Sequence, residues 1–304
     1  MAAPQAPGAG VSANVTAIPV ASSEPVLVAD GVSIQFGGLK ALTDFHLSIR
    51  QGDLLGLIGP NGAGKSTAFN VLTGVYQPTQ GVVRVGGTQV NGRKPHQINL
   101  LGVARTFQNI RLFRALSALD NVKVACRAQT ALHQSSLSVG SKLRNAAHNY
   151  ADWWRSLLLT PGFQREERRL TEQAEHLLDV MGLSHRRDEE ARNLPYGEQR
   201  RLEIARALGS QPRVLLLDEP AAGMNTREKA DLMVLIRKLR DDFNLGVLVI
   251  EHDMKLVMGI CERITVLDHG ETIARGAPAE VRSDRKVIEA YLGDSYLESH
   301  GGAA

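Results

Sequence analysis

Gly59-Pro60-Asn61-Gly62-Ala63-Gly64-Lys65-Ser66-Thr67 is the stretch from which the fold can be read. It satisfies the phosphate-binding pattern G-x-x-x-x-G-K-S/T, with a second small hydroxyl residue at Thr67. An apolar run of strand length, Asp53-Leu54-Leu55-Gly56-Leu57-Ile58, leads into it. Ala68-Phe69-Asn70-Val71-Leu72-Thr73-Gly74 follows and reads as a helix closed by its glycine. In that strand–loop–helix setting the glycines let backbone N–H groups converge on phosphate oxygens, and the positive end of the helix faces the same anion. Lys65 is placed to neutralise β- and γ-phosphates as a point charge, and Ser66 to ligate Mg²⁺ through its hydroxyl. All nine residues, Gly59 to Thr67, are therefore candidate nucleotide contacts.

Outward from the loop, the chain first reads as short strands. Val26–Ala29 is an apolar run bounded by an Asp30-Gly31 turn. Residues 32–36 and 46–50 alternate like half-buried strands, and 81–85 is a further one. Such strands suggest a β-subdomain beside the nucleotide. Phe36 closes one of them, just before Gly37-Gly38. It has two readings, an aromatic face on which a base stacks or an ordinary core phenylalanine.

Residues 102–108 form a strand-like run ending in Gln108, after which the pattern is mostly helical as far as Leu194. One helix starts at the capping-type Ser117. Another spans 166–182, with Leu170, Ala174, Leu177, Leu178 and Met181 on one face and Gly182 at its end. Between them, 128–165 is poorly patterned and holds Trp153 and Trp154. These fit a membrane-facing patch or, better, the core of a helical hairpin, since large apolar residues usually pack.

Alternation of strand and helix then resumes. Val214-Leu215-Leu216-Leu217 is a continuous apolar strand of the buried parallel type, closed by Asp218 and Glu219. A helix over 226–242, a strand over 246–251 and a strand over 263–267 follow. This order predicts a mostly parallel sheet with helices on both faces. Ligands of such sheets bind at the carboxyl ends of the strands. Asp218 is thus placed to hold Mg²⁺, and Glu219 to polarise a water for in-line attack. His252 ends the 246–251 strand and can donate to the γ-phosphate or hold the attacking water. Gln108, also at a strand end, can contact both cation and water. Leu194-Pro195-Tyr196-Gly197-Glu198-Gln199-Arg200-Arg201 leads into a helix expected at Leu202–Leu208, a second helix N-terminus and so a second anion site. One nucleotide does not need two such loops from one chain. A head-to-tail dimer resolves this, each nucleotide lying between the phosphate loop of one copy and residues 194–199 of the other.

Bulk properties set limits. The 304 residues allow one large or two modest domains, and 43% hydrophobic content is enough for a sizeable core. A net charge of +3 is too near balance to indicate a nucleic-acid partner. The two cysteines, Cys126 and Cys261, lie far apart in no ligand spacing, which points to a reducing compartment without structural metal. No apolar run reaches the ~20 residues that span a bilayer. Residues 1–24, rich in Ala, Pro, Ser and Gly, read as a disordered arm.

With these motifs in order, the chain resembles the ATP-binding subunits of ABC transporters over about residues 25–293. The resemblance rests on Phe36, the Walker A run 59–67, Gln108 of the Q-loop, the signature-like 194–199, the Walker B run 214–219, the D-loop-like Ala222-Gly223-Met224-Asn225, and His252. The wording of 104–113 (ARTFQNIRLF), 194–206 (LPYGEQRRLEIAR), 219–225 (EPAAGMN) and 287–293 (VIEAYLG) is similar to that of the branched-chain amino acid importers.

The resemblance implies an α/β P-loop NTPase with a mostly parallel core sheet, an antiparallel β-subdomain and a helical subdomain at about 109–210, the last residues, 294–304, forming a tail. It implies ATP and Mg²⁺ as ligands, with Ser66, Gln108 and Asp218 at the metal. Glu219, His252 and Gln108 are the catalytic set. Phe36, the run 59–67, and Tyr196, Gly197 and Glu198 hold nucleotide. The implied partners are a second ATPase chain, identical or different, and two permeases served indirectly by a periplasmic binding protein, at the cytoplasmic face of a bacterial inner membrane. Permease contact is expected at 109–114, through Arg111 and Arg114. Urea, other amino acids or lipopolysaccharide are alternative cargoes. A soluble ABC ATPase outside transport would call for a coiled coil, a tandem cassette or a basic face, and none is visible. Two positions depart from the family pattern: Pro195 replaces the signature serine, and Asn225 replaces the common D-loop aspartate.

Overall fold

The computed structural model describes residues 24–136 and 161–292, which carry two sheets. The first sheet is antiparallel and contains β1 (Leu27–Phe36), β2 (Leu39–Ile49), β4 (Gln80–Val85) and β5 (Thr88–Gln89) in the order β2-β1-β4-β5. The separate 26–29 strand expected from sequence is instead part of β1. Gly31 takes φ +60° and absorbs the register shifts between Ala29 and Val32, so the chain passes through without turning back. Leu27, Ala29, Val32 and Ile34 of β1 are buried with Leu42, Phe45, Leu47 and Ile49 of β2.

The second sheet has six strands. The first is β3 (Leu54–Ile58), which runs into α1 (Lys65–Leu72) through the glycine-rich loop. Then come α2 (Pro95–Leu100), β6 (Val103–Arg105), β7 (Val214–Asp218), β8 (Gly246–Ile250), β9 (Arg263–Asp268) and β10 (Glu271–Gly276). The order is β10-β9-β3-β8-β7-β6, with every pair parallel except β10 against β9. Strands β3, β7 and β8 are buried at every position, as unbroken apolar runs in a two-sided parallel sheet must be. The ends of β3 and β7, and the turn after β8, carry the candidate site.

Among the described residues, the layer between β6 and β7 in sequence is built on the helices α3 (Ala118–Ser136), α4 (Pro161–Val180) and α5 (Tyr196–Gly209). Ser117 caps α3, its hydroxyl accepting from the Asp120 N–H at 3.0 Å. The expected face of α4 is buried: Leu170, Ala174, Leu177 and Leu178, with Met181 just beyond, meet Val122 and Cys126 of α3 and Leu202 and Ala205 of α5. Gly209 lets α3 and α5 approach closely, since a Cβ there would stand 3.0 Å from Ala125 Cβ and 3.2 Å from Cys126 Sγ. Helix α5 begins at Tyr196 rather than at Leu202. Pro195 supplies the reason: its ring fixes an N-cap φ of −54°, and its carbonyl accepts the Gln199 N–H at 2.9 Å.

The remaining elements are α6 (Thr226–Asp242), α7 (Met254–Ile260), α8 (Pro278–Ser283) and α9 (Arg285–Leu292). Leu232, Ile236 and Leu239 of α6 face the core as its spacing predicted, with Leu235 and Phe243 partly buried beside them. Trp153 and Trp154, most of the proposed N-terminal arm and the residues beyond 292 lie outside the described residues. Among the described residues no helix is long and apolar enough to cross a membrane.

Candidate nucleotide site

The phosphate loop is shaped by positive backbone angles. Gly59, Gly62 and Gly64 adopt φ of 152°, 83° and 99°, a region that side chains disfavour. A Cβ on Gly59 would stand 2.1 Å from the Leu267 carbonyl oxygen, and one on Gly64 would stand 2.6 Å from that of Ala41. The loop is thus wedged between β9 and β2 with room for no larger residue at these two positions. Gly270 ties it further, donating to Ala63 and accepting from Thr43. Lys65 is 8% exposed and its Nζ donates to the carbonyls of Gly59 and Pro60 at 2.7 and 2.8 Å. Burial pulls its pKa below the usual lysine value, while the charges of Glu219 and Asp218 act in the opposite sense. Ser66 is exposed, Thr67 partly so, and Asn61 and Gly62 lie on the outer surface of the loop.

Asp218 ends β7 and is buried, whereas Glu219 follows it with φ +46°, a left-handed angle for a residue with a side chain. The Glu219 N–H donates to the Ile250 carbonyl at 2.9 Å, which ties this left-handed residue after β7 to the last residue of β8. Gln108 lies three residues beyond β6, not at the strand end. Its Nε2 donates to Glu219 Oε2 at 3.0 Å. His252, two residues beyond β8 and 62% exposed, sets Nδ1 3.7 Å from the same oxygen. Asp218, Glu219, Gln108 and His252 are therefore brought together at the ends of three neighbouring strands. Glu219 is the common partner of Gln108 and His252.

Phe36 is 44% exposed, which removes the core reading, and it meets Tyr76 edge-on with centroids 5.1 Å apart. Tyr196 and Gly197 open α5, so their N–H groups have no partner within the helix. The Tyr196 ring lies against Gly223, where a Cβ would stand 3.1 Å from it. The Glu198 carboxylate accepts from Arg186 Nε at 3.1 Å, a tie to the segment just before α5. Among the described residues no hydrogen bond or ion pair joins 196–198 to the phosphate loop. Asn225 caps α6, accepting from the N–H groups of Arg227 and Glu228 at 3.0 Å, while Glu228 accepts in return from its N–H.

Sequence reasoning missed the side chains that hold this cluster. Arg200 is 2% exposed and donates to the Phe107 carbonyl at 2.5 Å, to the Gln108 carbonyl, and to Glu203 at 3.2 Å. Glu203 also accepts from the Arg111 N–H at 3.2 Å, and burial pushes its pKa up. Glu251, 1% exposed, accepts from the Ala221 N–H at 2.8 Å and so joins the end of β8 to the loop after Glu219. Only Glu251 carried a signal, a charge directly after the apolar run 246–250; Arg200 and Glu203 sit in a charged stretch where nothing local marks them. Arg105 was missed as well: it ends β6 and bonds Asp218 Oδ2 at 2.7 Å.

Comparison with known proteins identifies the family. Residues 42–222 match the family model described as ABC transporter, and 271–296 match that described as branched-chain amino acid ATP-binding cassette transporter. The chain is 43% identical over 273 residues to the high-affinity branched-chain amino acid transport ATP-binding protein BraF of Pseudomonas aeruginosa, covering 90% of this chain and all of that one. It is 30% identical over 271 residues to the lipopolysaccharide export system ATP-binding protein LptB of Haemophilus influenzae, covering 89% of this chain and 98% of LptB. Among solved structures, an ATP-binding cassette of an ABC transporter in its ADP conformation superposes with a TM-score of 0.71 at 29% identity, covering 90% of this chain and all of that one. The chain belongs to the ABC transporter family of ATP-binding proteins, in its branched-chain amino acid group.

Proposed function

We propose that this chain hydrolyses ATP to drive an importer of branched-chain amino acids, with Glu219 as the general base. The observation that carries the chemistry is the pairing of Glu219 with Gln108 and His252 beside the phosphate loop. Lys65, now bonded to Gly59 and Pro60, would turn to the β- and γ-phosphates, exchanging two carbonyl acceptors for charged ones. Phe36 offers its exposed ring to the base. Glu219 takes the proton of the attacking water, His252 donates to the γ-phosphate, and Gln108 aligns the water.

The donor set fits Mg²⁺: the Ser66 hydroxyl, the Asp218 carboxylate and the Gln108 amide oxygen are all hard oxygen donors. Bound there, the cation would neutralise charge developing on the phosphates. Gln108 uses its nitrogen on Glu219, which leaves Oε1 for the metal.

Two copies related head to tail complete the site. The orphan N–H groups of Tyr196 and Gly197 in one copy cap the triphosphate gripped by the other. Pro195 supplies neither hydroxyl nor N–H, so these two amides carry the contact, with Glu198 beside them. ATP, with affinity for the closed dimer above that for the open one, drives closure, and hydrolysis reverses it. Two permeases would dock near 109–114. There Gln108, Asn109, Ile110, Leu112, Arg114 and Tyr196 line a pocket of about 240 Å³. Arg111 is exposed and stacks on Phe107 at 4.0 Å, which holds its guanidinium on that surface, where Arg114 is exposed too. An external binding protein would deliver cargo, and the chain itself would work at the inner face of the membrane.

Cargo is tested by purifying the chain with its co-expressed permeases and supplying ligand-loaded binding protein. Leucine, isoleucine or valine should stimulate ATPase activity. Stimulation only by a different cargo, such as urea or lipopolysaccharide, would overturn the importer assignment while leaving the ATPase intact.

A further inference from the structure

Arg105 is the last residue of β6, with its side chain 9% exposed. Its guanidinium joins three pieces of the site. One nitrogen donates to Asp218 Oδ2 at 2.7 Å, and the other to Asn70 Oδ1 at 2.6 Å, in the helix that follows the phosphate loop. Phe69 and Phe107 flank the group, their centroids 5.5 and 5.0 Å from its central carbon. Phe107 immediately precedes Gln108. A second tie runs alongside, from the Asp218 N–H to the Thr106 hydroxyl at 3.3 Å.

We propose that Arg105 is a positioning residue for the divalent cation, fixing the Asp218 carboxylate through Oδ2 and leaving Oδ1 to the metal. This rests on the reading of Asp218 as a cation ligand.

Two features favour positioning over blockade. A carboxylate has two oxygens, and Arg105 engages one, so coordination capacity remains. Asn70 and the two rings also hold Arg105 independently of Asp218, so the guanidinium need not leave when a cation arrives. Outer partners of metal-ligating carboxylates typically change metal affinity by about 10- to 100-fold when removed. Lysine keeps the positive charge but is a point donor that cannot span Asn70 and Asp218 together.

The test is a Mg²⁺ titration of the full chain with a fluorescent ATP analogue, comparing half-saturating Mg²⁺ and the metal-free nucleotide affinity. For Arg105→Met, half-saturating Mg²⁺ should rise about 10- to 100-fold while metal-free affinity stays within about twofold, since the outer ligand is lost but the phosphate loop is intact. Arg105→Lys should give a smaller rise. Asp218→Asn should give a rise at least as large as Arg105→Met. An unchanged or lower half-saturating Mg²⁺ in both Arg105 variants, with Asp218→Asn raised, overturns the positioning role. No change in Asp218→Asn overturns the assignment of Asp218 itself. Should Arg105→Met fail to fold, Arg105→Lys decides the matter alone, because it keeps the buried charge.

Discussion

Glu219→Gln separates chemistry from binding. The substitution swaps one oxygen for an NH₂ of nearly the same shape, so the left-handed backbone at φ +46° is undisturbed. The amide still offers an oxygen to Gln108 Nε2, which lies 3.0 Å away, and with the side chain 22% exposed the stability change should stay within about 1 kcal/mol. What disappears is the basic site. Loss of a positioned general base costs about 10²- to 10⁴-fold, or roughly 2.7–5.4 kcal/mol at 1.36 kcal/mol per decade. Nucleotide binding should survive or tighten: Lys65 and the loop amides are untouched, and one negative charge near the triphosphate is gone. Phosphate release at saturating Mg²⁺-ATP measures the rate, fluorescent-nucleotide titration the affinity, and gel filtration with ATP the trapped dimer. A kcat within threefold of the parent chain would refute the assignment of Glu219 as base.

Three further predictions come from the same geometry. Lys65→Ala should remove the cation proposed to turn to the β- and γ-phosphates and abolish ATP binding or turnover; normal turnover contradicts that proposal. Arg200→Met should take the shared donor from the Phe107 and Gln108 carbonyls, leave the buried Glu203 without its ion-pair partner and cost about 3–5 kcal/mol, read by urea denaturation. A loss under 1 kcal/mol would show that the clamp is dispensable. Burial pushes the thiols of Cys126 and Cys261 up to about 11 and about 12. At pH 8 about a thousandth or less of either is then thiolate, so iodoacetamide should label neither until the chain is unfolded. Stoichiometric labelling of the native chain would contradict this.

Local pattern made much of this architecture readable. The runs 54–58 and 214–217 are apolar throughout because both faces of a parallel sheet are covered, and such runs announce themselves. The phosphate loop was legible because its glycines, lysine and serine follow a fixed spacing between a strand and a helix. Other features were hidden for physical reasons. The start of α5 depended on Pro195 acting as an N-cap, where a proline reads more naturally as an interruption. The continuity of β1 through Asp30-Gly31 depended on pairing with β2 and β4 on both sides, which no local window contains. Arg105, Arg200, Glu203 and Glu251 bond partners 30 to 113 residues away, or the backbone of another loop. Their importance arises only once the sheet has assembled. Asn225 keeps a capping function that aspartate would also fulfil, so this departure from the family pattern leaves the local fold intact.

The central claim concerns two protomers sharing each nucleotide, and a structure of the Glu219→Gln chain with Mg²⁺-ATP tests it most directly. The account predicts a twofold dimer in which the Tyr196 and Gly197 N–H groups of one protomer lie within about 3.2 Å of the γ-phosphate held by Lys65 of the other. An ATP-loaded chain in which those amides point to solvent, or bond only within their own protomer, would contradict it.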